Sequence, residues 1–188
     1  MKDPLFIQQI LTKAKEAGEK VRTEFSALST GQLNWKSSAE SWSIAQCLDH
    51  LVVTDGLYSA SLQRIAEGNY NMRSWERWSP FSGMFGKLLI NRTGENPVIK
   101  MKAPKVLKPA ESNIDDAIVA RFHHHHEKML GYITAATTVD LDKIKITSPV
   151  SKLITYSLRD AITVIVYHKH RHINQAIRVK EMPGFPLN

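Results

Sequence analysis

The sequence is poor in the features that mark secreted, membrane-spanning and disulfide-rich proteins. Its 188 residues include one cysteine, Cys47, which excludes an internal disulfide and fits a reducing cytoplasm. No apolar run approaches the roughly 18–20 residues that a membrane-spanning helix needs. Residues 1–20 alternate charged and apolar side chains, so they predict no secretory signal. These absences predict a cytoplasmic protein with no membrane partner.

Acidic residues are scarce in one part of the chain. The net charge is +7, and residues 87–108 contribute +5 of it because six basic residues accompany a single glutamate. Such a segment can attract phosphate or another anionic ligand, although a solvated loop is the simpler interpretation. No aromatic-rich strand or nucleic-acid-binding motif accompanies it. We therefore expect a small-molecule substrate and no nucleic acid, while the chain length is compatible with a homodimer.

Four segments combine a helix-start signal with an apolar stripe at helical spacing. Asp3 and Pro4 open the first, and Ser43 and Gln46 form a capping box for the second, which Gly68 ends. The β-branched run 162–167 resembles a strand, but apolar residues continue at three- to four-residue spacing through and beyond it. The predicted helices begin near residues 4, 43, 112 and 157.

The connections between these helices indicate how they are arranged. About forty residues with four prolines separate the second and third helices, which is long enough for a crossover. Segments 28–42 and 137–156 are predicted to be irregular. The sequence therefore predicts one all-α domain over 1–188, a four-helix bundle with a long crossover between helices two and three.

Three histidines lie within five positions near the end of the chain, in the motif "HKHRH". His168 and His172 are one helical turn apart and continue the apolar stripe, whereas His170 points broadly away and is predicted to lie at the surface. Two imidazoles facing an apolar interior need partners, because an unpaired buried polar group costs about 1–3 kcal/mol. A divalent metal satisfies both rings, and hydrogen bonds to carbonyls or water are the alternative.

A third histidine, His50, borders the apolar face of the second predicted helix. Facing the pair on the last helix, it would complete a three-imidazole site with open coordination positions. Position 169 is lysine, so the motif lacks the helix-borne glutamate of His-Glu-x-x-His enzymes. Gln175, one turn after His172, is placed to hydrogen-bond a ligand ring.

A further run of four histidines occupies 123–126. His125 and His126 flank the apolar stripe of the third helix, so one of them is a candidate additional ligand. A solvated cluster is the simpler interpretation. Cys47 lies near His50 on the second helix, and we expect it to be a buried small hydrophobic residue rather than a nucleophile.

Two stretches resemble DinB-like (YfiT-like) proteins: "LNWKSSAESWSIAQCLDHL" at 33–51 and "HKHRHINQAIRVKEMPGFP" at 168–186. The segment "VIKMKAPKVLKP" resembles the crossover of the same family. The resemblance implies a four-helix bundle that holds one divalent metal, usually zinc or nickel, through His50, His168 and His172. Water would complete the coordination shell.

The family includes metal-dependent hydrolases and thiol-dependent transferases or isomerases. The resemblance therefore implies an enzyme acting on a small molecule, with a low-molecular-weight thiol as a candidate second cofactor. It assigns no catalytic acid, base or nucleophile. The alternative is a non-catalytic metal- or ligand-binding stress protein, which the missing general base favours.

Overall fold

A computed structural model describes residues 2–93 and 113–187, and these residues are mostly helical. Within them lie seven α-helices, namely α1 (Pro4–Phe25), α2 (Thr30–Asn34), α3 (Ile44–Ala66), α4 (Ser74–Trp78), α5 (Ser82–Thr93), α6 (Ile118–Ala135) and α7 (Leu158–Lys180). An antiparallel hairpin of β1 (Lys145–Ser148) and β2 (Ser151–Ser157) leads directly into α7. Across the described part of the chain, no helix combines the length and the apolarity needed to cross a membrane.

The start signals of two long helices act as their sequences predict. The Asp3 carboxylate accepts from the backbone N–H of Phe6 at the start of α1, and Pro4 is the first helical residue. Ser43 and Gln46 form the reciprocal capping box of α3, which ends just before Gly68. Gly68 has a φ of 71°, a conformation that glycine adopts without steric cost. These boundaries, and the helix rather than strand at 162–167, are confirmed.

Three predictions about the connections were wrong. The third long helix begins at Ile118, later than predicted, because both backbone polar groups of Ile114 bond the side chain of Asn34 instead. Residues 137–156, expected to be irregular, contain β1 and most of β2. Residues 28–42 contain the short helix α2, which begins with its own capping box. Residues 98–109, which resemble the crossover of DinB-like proteins, lie outside the described residues.

The four long helices pack in a closed order. Helix α3 packs on α6 and α7, and α1 packs on the same two helices. Helix α7 also contacts α5 and both strands, so it has neighbours on most of its circumference. This is why α7 is buried far beyond a single stripe, and why Lys169, His170 and His172 of its histidine motif are buried.

The core consists of two apolar clusters separated by a polar layer. One cluster gathers the beginning of α1, the ends of α3 and α6, the hairpin and the beginning of α7. The other gathers the end of α1, the beginnings of α3 and α6 and the end of α7. Between them, at mid-height of the four helices, lies a layer of buried polar side chains: His50, Thr54, Asp55, His126, Lys169, His170 and His172. We call these residues, with half-buried His168, the polar layer.

Helix α1 makes room for the polar layer at Gly18. A Cβ at this position would lie 2.8 Å from Nε2 and 2.9 Å from Cδ2 of the buried His126 ring. Gly18→Ala is therefore expected to destabilise the fold by about 1–3 kcal/mol, although alanine is the better helix former. Urea unfolding measures the change.

Gly131→Ala on α6 is the matched control, since no atom lies within 4 Å of its added Cβ. This variant should be as stable as the natural protein or more stable by up to about 1 kcal/mol. If Gly18→Ala proves as stable as Gly131→Ala, the close packing of His126 on α1 does not constrain the fold.

Candidate metal centre

Three histidines from two helices bring their ring nitrogens together in the polar layer. His50 of α3 and His168 and His172 of α7 each offer one nitrogen, and these atoms lie within 4.8 Å of one another. Nε2 of His50 is 2.9 Å from Nε2 of His168. Within residues 2–93 and 113–187, this is the one group of histidine, cysteine and carboxylate side chains that is close enough to hold a metal ion.

Hydrogen bonds on the far side of two rings fix which nitrogen faces the centre. Nδ1 of His172 lies 3.0 Å from the Gln175 side-chain oxygen, and Nδ1 of His168 lies 3.3 Å from the Thr93 carbonyl oxygen. Both acceptors are oxygens, so Nδ1 carries the proton in each ring and Nε2 keeps its lone pair. This is the arrangement in which metal-binding histidines are usually held.

The two α7 histidines of the cluster, His168 and His172, are uncharged at neutral pH. Burial, together with the neighbouring His50, lowers the pKa of His168 to about 3. Burial also lowers the pKa of His172 well below its ordinary value, with contributions from His168 and His50. An imidazole must be neutral to bind a metal, so protons do not compete effectively for these lone pairs near pH 7.

The donor set fits a borderline divalent ion such as Zn²⁺ or Ni²⁺. Neutral imidazoles are preferred ligands of both, and three of them leave coordination positions open. Two zinc–nitrogen bonds of about 2.0–2.1 Å at a tetrahedral angle place their nitrogens roughly 3.3–3.4 Å apart. The His50 and His168 rings, 2.9 Å apart at Nε2, would need to separate by only roughly 0.5 Å.

Neighbouring side chains and backbone define the surroundings of the centre. The Trp42 ring stacks on His172 with 5.5 Å between centroids and an interplanar angle of 20°, and its centroid lies 5.1 Å from that of His50. On another side, the last turn of α5 ends against α7 through the carbonyl of Thr93. His50 and His172 are buried, whereas His168 is half-buried.

His170, predicted to lie at the surface, is in fact buried, with 3% of its surface exposed. Its Nε2 is 2.6 Å from the carbonyl oxygen of Lys13, so it donates to the backbone of α1. The prediction assumed that the side of α7 opposite the stripe faces water. That side is instead covered by α1.

Sequence reasoning missed a buried charged group beside the centre. Lys169 of α7 lies 2.8 Å from Oδ2 of Asp55 on α3, and these side chains are only 2% and 3% exposed. The Lys169 ammonium also lies 3.2 Å from Nδ1 of His126. Burial raises the pKa of Asp55, and Lys169 opposes that rise. Asp55 stands among apolar residues on its helix, and that position is the signal from which the pair could have been found.

The histidine run at 123–126 is not uniformly solvated, so that prediction is wrong for one member. His126 is 2% exposed, packs in parallel on Phe122 and lies against Lys169. His124 is exposed, while His123 and His125 are half-buried. Neither His125 nor His126 belongs to the group of three close nitrogens.

Cys47 is fully buried, as predicted, and offers no nucleophile. It lies in the apolar cluster at the beginning of α3. Burial raises the pKa of its thiol to about 12, so the thiolate is not populated at neutral pH.

Gln175 is placed to orient the His172 ring, since its side-chain oxygen accepts from Nδ1 of that ring. Gln175→Ala removes this acceptor and frees the ring to rotate. We expect metal affinity to fall about 10- to 100-fold, as is typical when such a partner is lost. Competition with a chromophoric chelator measures the affinity. Asn174→Ala is the control, because Asn174 contacts Lys20 at the surface. If both variants lose the same metal affinity, Gln175 does not have the proposed role.

Comparison with known proteins places the chain among related sequences. The sequence profile described as the DinB superfamily matches residues 14–176, a range that includes all three clustered histidines and Gln175. The chain is 29% identical over 167 residues to the uncharacterized protein YuaE of Bacillus subtilis (strain 168), covering 88% of this chain and 94% of that one. No solved structure matches the chain significantly.

Proposed function

Because the chain belongs to the DinB superfamily, we propose that it binds one divalent metal, zinc or nickel, through His50, His168 and His172. We further propose that it uses this centre as a metal-dependent hydrolase or as a thiol-dependent transferase acting on a small molecule. The closed packing order of α1, α6, α3 and α7 supports interpreting the domain as the expected four-helix bundle.

One observation carries the proposal: three imidazole nitrogens converge within 4.8 Å in a layer that is otherwise enclosed by apolar clusters. Nothing in the hydrophobic packing requires three imidazole rings to meet at their nitrogens. Two of the rings have oriented Nδ1–H groups, which leaves their Nε2 lone pairs without a proton. A single proton can bridge Nε2 of His50 and Nε2 of His168, which are 2.9 Å apart, whereas a cation would bind all three clustered nitrogens.

A divalent ion at this position would supply Lewis acidity, which polarises a carbonyl or favours the thiolate form of a thiol. The chain's own residues orient the ligands and surround them. Gln175 and Thr93 hold the α7 rings, and Trp42 covers one side of His172. Cys47 is buried in an apolar cluster, and Lys169 is buried and paired with Asp55. The nucleophile is therefore expected to come from solution, as water or as a small thiol.

The donor set also supports a second candidate function. Among the described residues, the close group contains no carboxylate that could act as a general base. This favours a protein that binds a metal or a metal-bound ligand without transforming it. Both candidate functions use the same metal centre, and only the enzyme would convert a substrate.

The experiment is metal analysis followed by activity screening. Untagged protein is purified without a nickel column, loaded with zinc or nickel, dialysed and analysed for bound metal. We expect about one ion per chain. Loaded and metal-free samples are then screened against activated esters and amides, and against electrophiles in the presence of small thiols. Metal-dependent turnover supports the enzyme, binding without turnover supports the second candidate, and absence of binding contradicts both.

A further inference from the structure

Arg171 lies on the same side of α7 as the clustered histidines. It follows His168 by three residues, so the two side chains leave the helix roughly 60° apart. Its guanidinium donates from Nη1 to the Arg92 carbonyl at 3.1 Å, while His168 bonds the next carbonyl, that of Thr93. The arginine and the ligand ring therefore contact two consecutive peptide groups at the end of α5.

Arg171, unlike the other buried or half-buried cations of α7, has no carboxylate partner among the described residues. Three cations of α7 or its ends are paired: Arg159 with Asp3 and Asp142, Lys169 with Asp55, and Lys180 with Glu24. Arg171 is half-buried, and its hydrogen bond goes to a neutral carbonyl. A partly desolvated guanidinium is stabilised when a carboxylate accepts from its free N–H groups.

The charge of the proposed centre also calls for an anion. Three neutral imidazoles leave the two positive charges of a divalent ion uncompensated, and no carboxylate belongs to the close group. Arg171 adds a third positive charge, and this charge contributes to lowering the pKa of both His168 and His172. Positive charge concentrated in a partly buried site raises the local concentration of anionic ligands.

We propose that Arg171 binds the carboxylate of a small molecule whose other polar group binds the metal. The inference deepens the proposed function and rests on it. A carboxylate is favoured over a phosphate dianion because one guanidinium offers one charge and a planar fork that matches two carboxylate oxygens. The substrate class is therefore an anionic small molecule with a carboxylate near its reacting thiol or carbonyl group.

The test compares two thiols that differ in the carboxylate. Protein loaded with Co²⁺ is titrated with 3-mercaptopropionate and with 2-mercaptoethanol, and thiolate binding is followed by its charge-transfer absorption. The quantity of interest is the ratio of their dissociation constants. In Arg171→Gln, the preference for 3-mercaptopropionate should fall about 10- to 100-fold, while 2-mercaptoethanol binding changes little. Intrinsic differences between the thiols cancel because each ratio is compared with that of the natural protein.

Two further variants define the role of the side chain. Arg178→Gln is the matched control, since Arg178 is exposed and lies roughly 10 Å farther along the α7 axis; its ratio should be unchanged. Arg171→Lys keeps the charge but cannot offer two parallel N–H groups, so its ratio should also fall. This variant decides the matter if Arg171→Gln no longer folds or holds Co²⁺.

The outcomes separate the inference from the function on which it rests. If the natural protein binds no Co²⁺, the proposed metal centre is wrong. If Co²⁺ and both thiols bind but the ratio is the same with and without Arg171, the centre stands and Arg171 is not the carboxylate-binding residue. An equal fall in Arg178→Gln would also overturn the assignment, since it would indicate a general effect of surface charge.

Discussion

His168→Ala is expected to reduce bound zinc or nickel from about one ion per chain to a small fraction of that value. The variant leaves His50 and His172 as the remaining members of the close group. We expect an affinity loss of more than about 100-fold, beyond the 10- to 100-fold typical of losing a hydrogen-bond partner of a ligand. Elemental analysis of dialysed protein measures it. His50→Ala and His172→Ala should give the same result.

His170→Gln is the matched control for this series. His170 is buried and lies two positions from both proposed α7 ligands, but it donates to the Lys13 carbonyl of α1. Glutamine can replace that donor, so metal content should be retained. Nickel affinity columns must be avoided throughout, because exposed and half-buried histidines at 123–125 offer a separate binding surface. Full metal content in His168→Ala would remove this residue from the site.

Lys169→Met is expected to lower the free energy of unfolding by about 3–5 kcal/mol. Methionine approximates the length of lysine, so the packing changes little, but Asp55 is left as a buried carboxylate without its cation. His126 also loses the partner at its Nδ1. Chemical denaturation measures the loss, and circular dichroism before denaturation shows whether the helices are intact.

The double variant Asp55→Leu with Lys169→Met separates charge burial from packing. Removing both charges eliminates the unpaired carboxylate, and replacing a buried ion pair by apolar residues is often close to neutral. We therefore expect the double variant to recover most of the stability lost in Lys169→Met, which is a strongly non-additive result. A double variant as unstable as the single one would show that the shape of these side chains, rather than their charge, stabilises the layer.

The long helices and the histidine group could be predicted because they depend on local rules. The caps at Asp3 and Ser43 accept from backbone N–H groups three residues away, so the local sequence is enough to predict them. His168 and His172 are one turn apart on any helix. The presence of His50 near them depended on the family resemblance, since nothing in the spacing along the chain requires α3 to face α7.

What could not be predicted depends on neighbours that are distant in sequence. His170 and Lys169 look like surface residues because a polar, charged motif normally marks a solvated face. Their burial follows from the packing of α1 and α3 on α7. The start of α6 was misplaced for a similar reason, because Asn34, eighty residues away, holds the backbone of Ile114.

The polar layer also fixes how far each helix extends past its neighbours. Aliphatic side chains are nearly interchangeable, so a uniformly apolar core would tolerate sliding one helix by a turn. Here such a shift would move Asp55, Lys169 or His170 from its partner into an aliphatic cluster. The cost of an unpaired buried charge or donor opposes every shifted alignment at once. These buried polar residues therefore fix the positions of the four helices relative to one another along their axes. That fixed position places His50 at the same height in the bundle as His168 and His172.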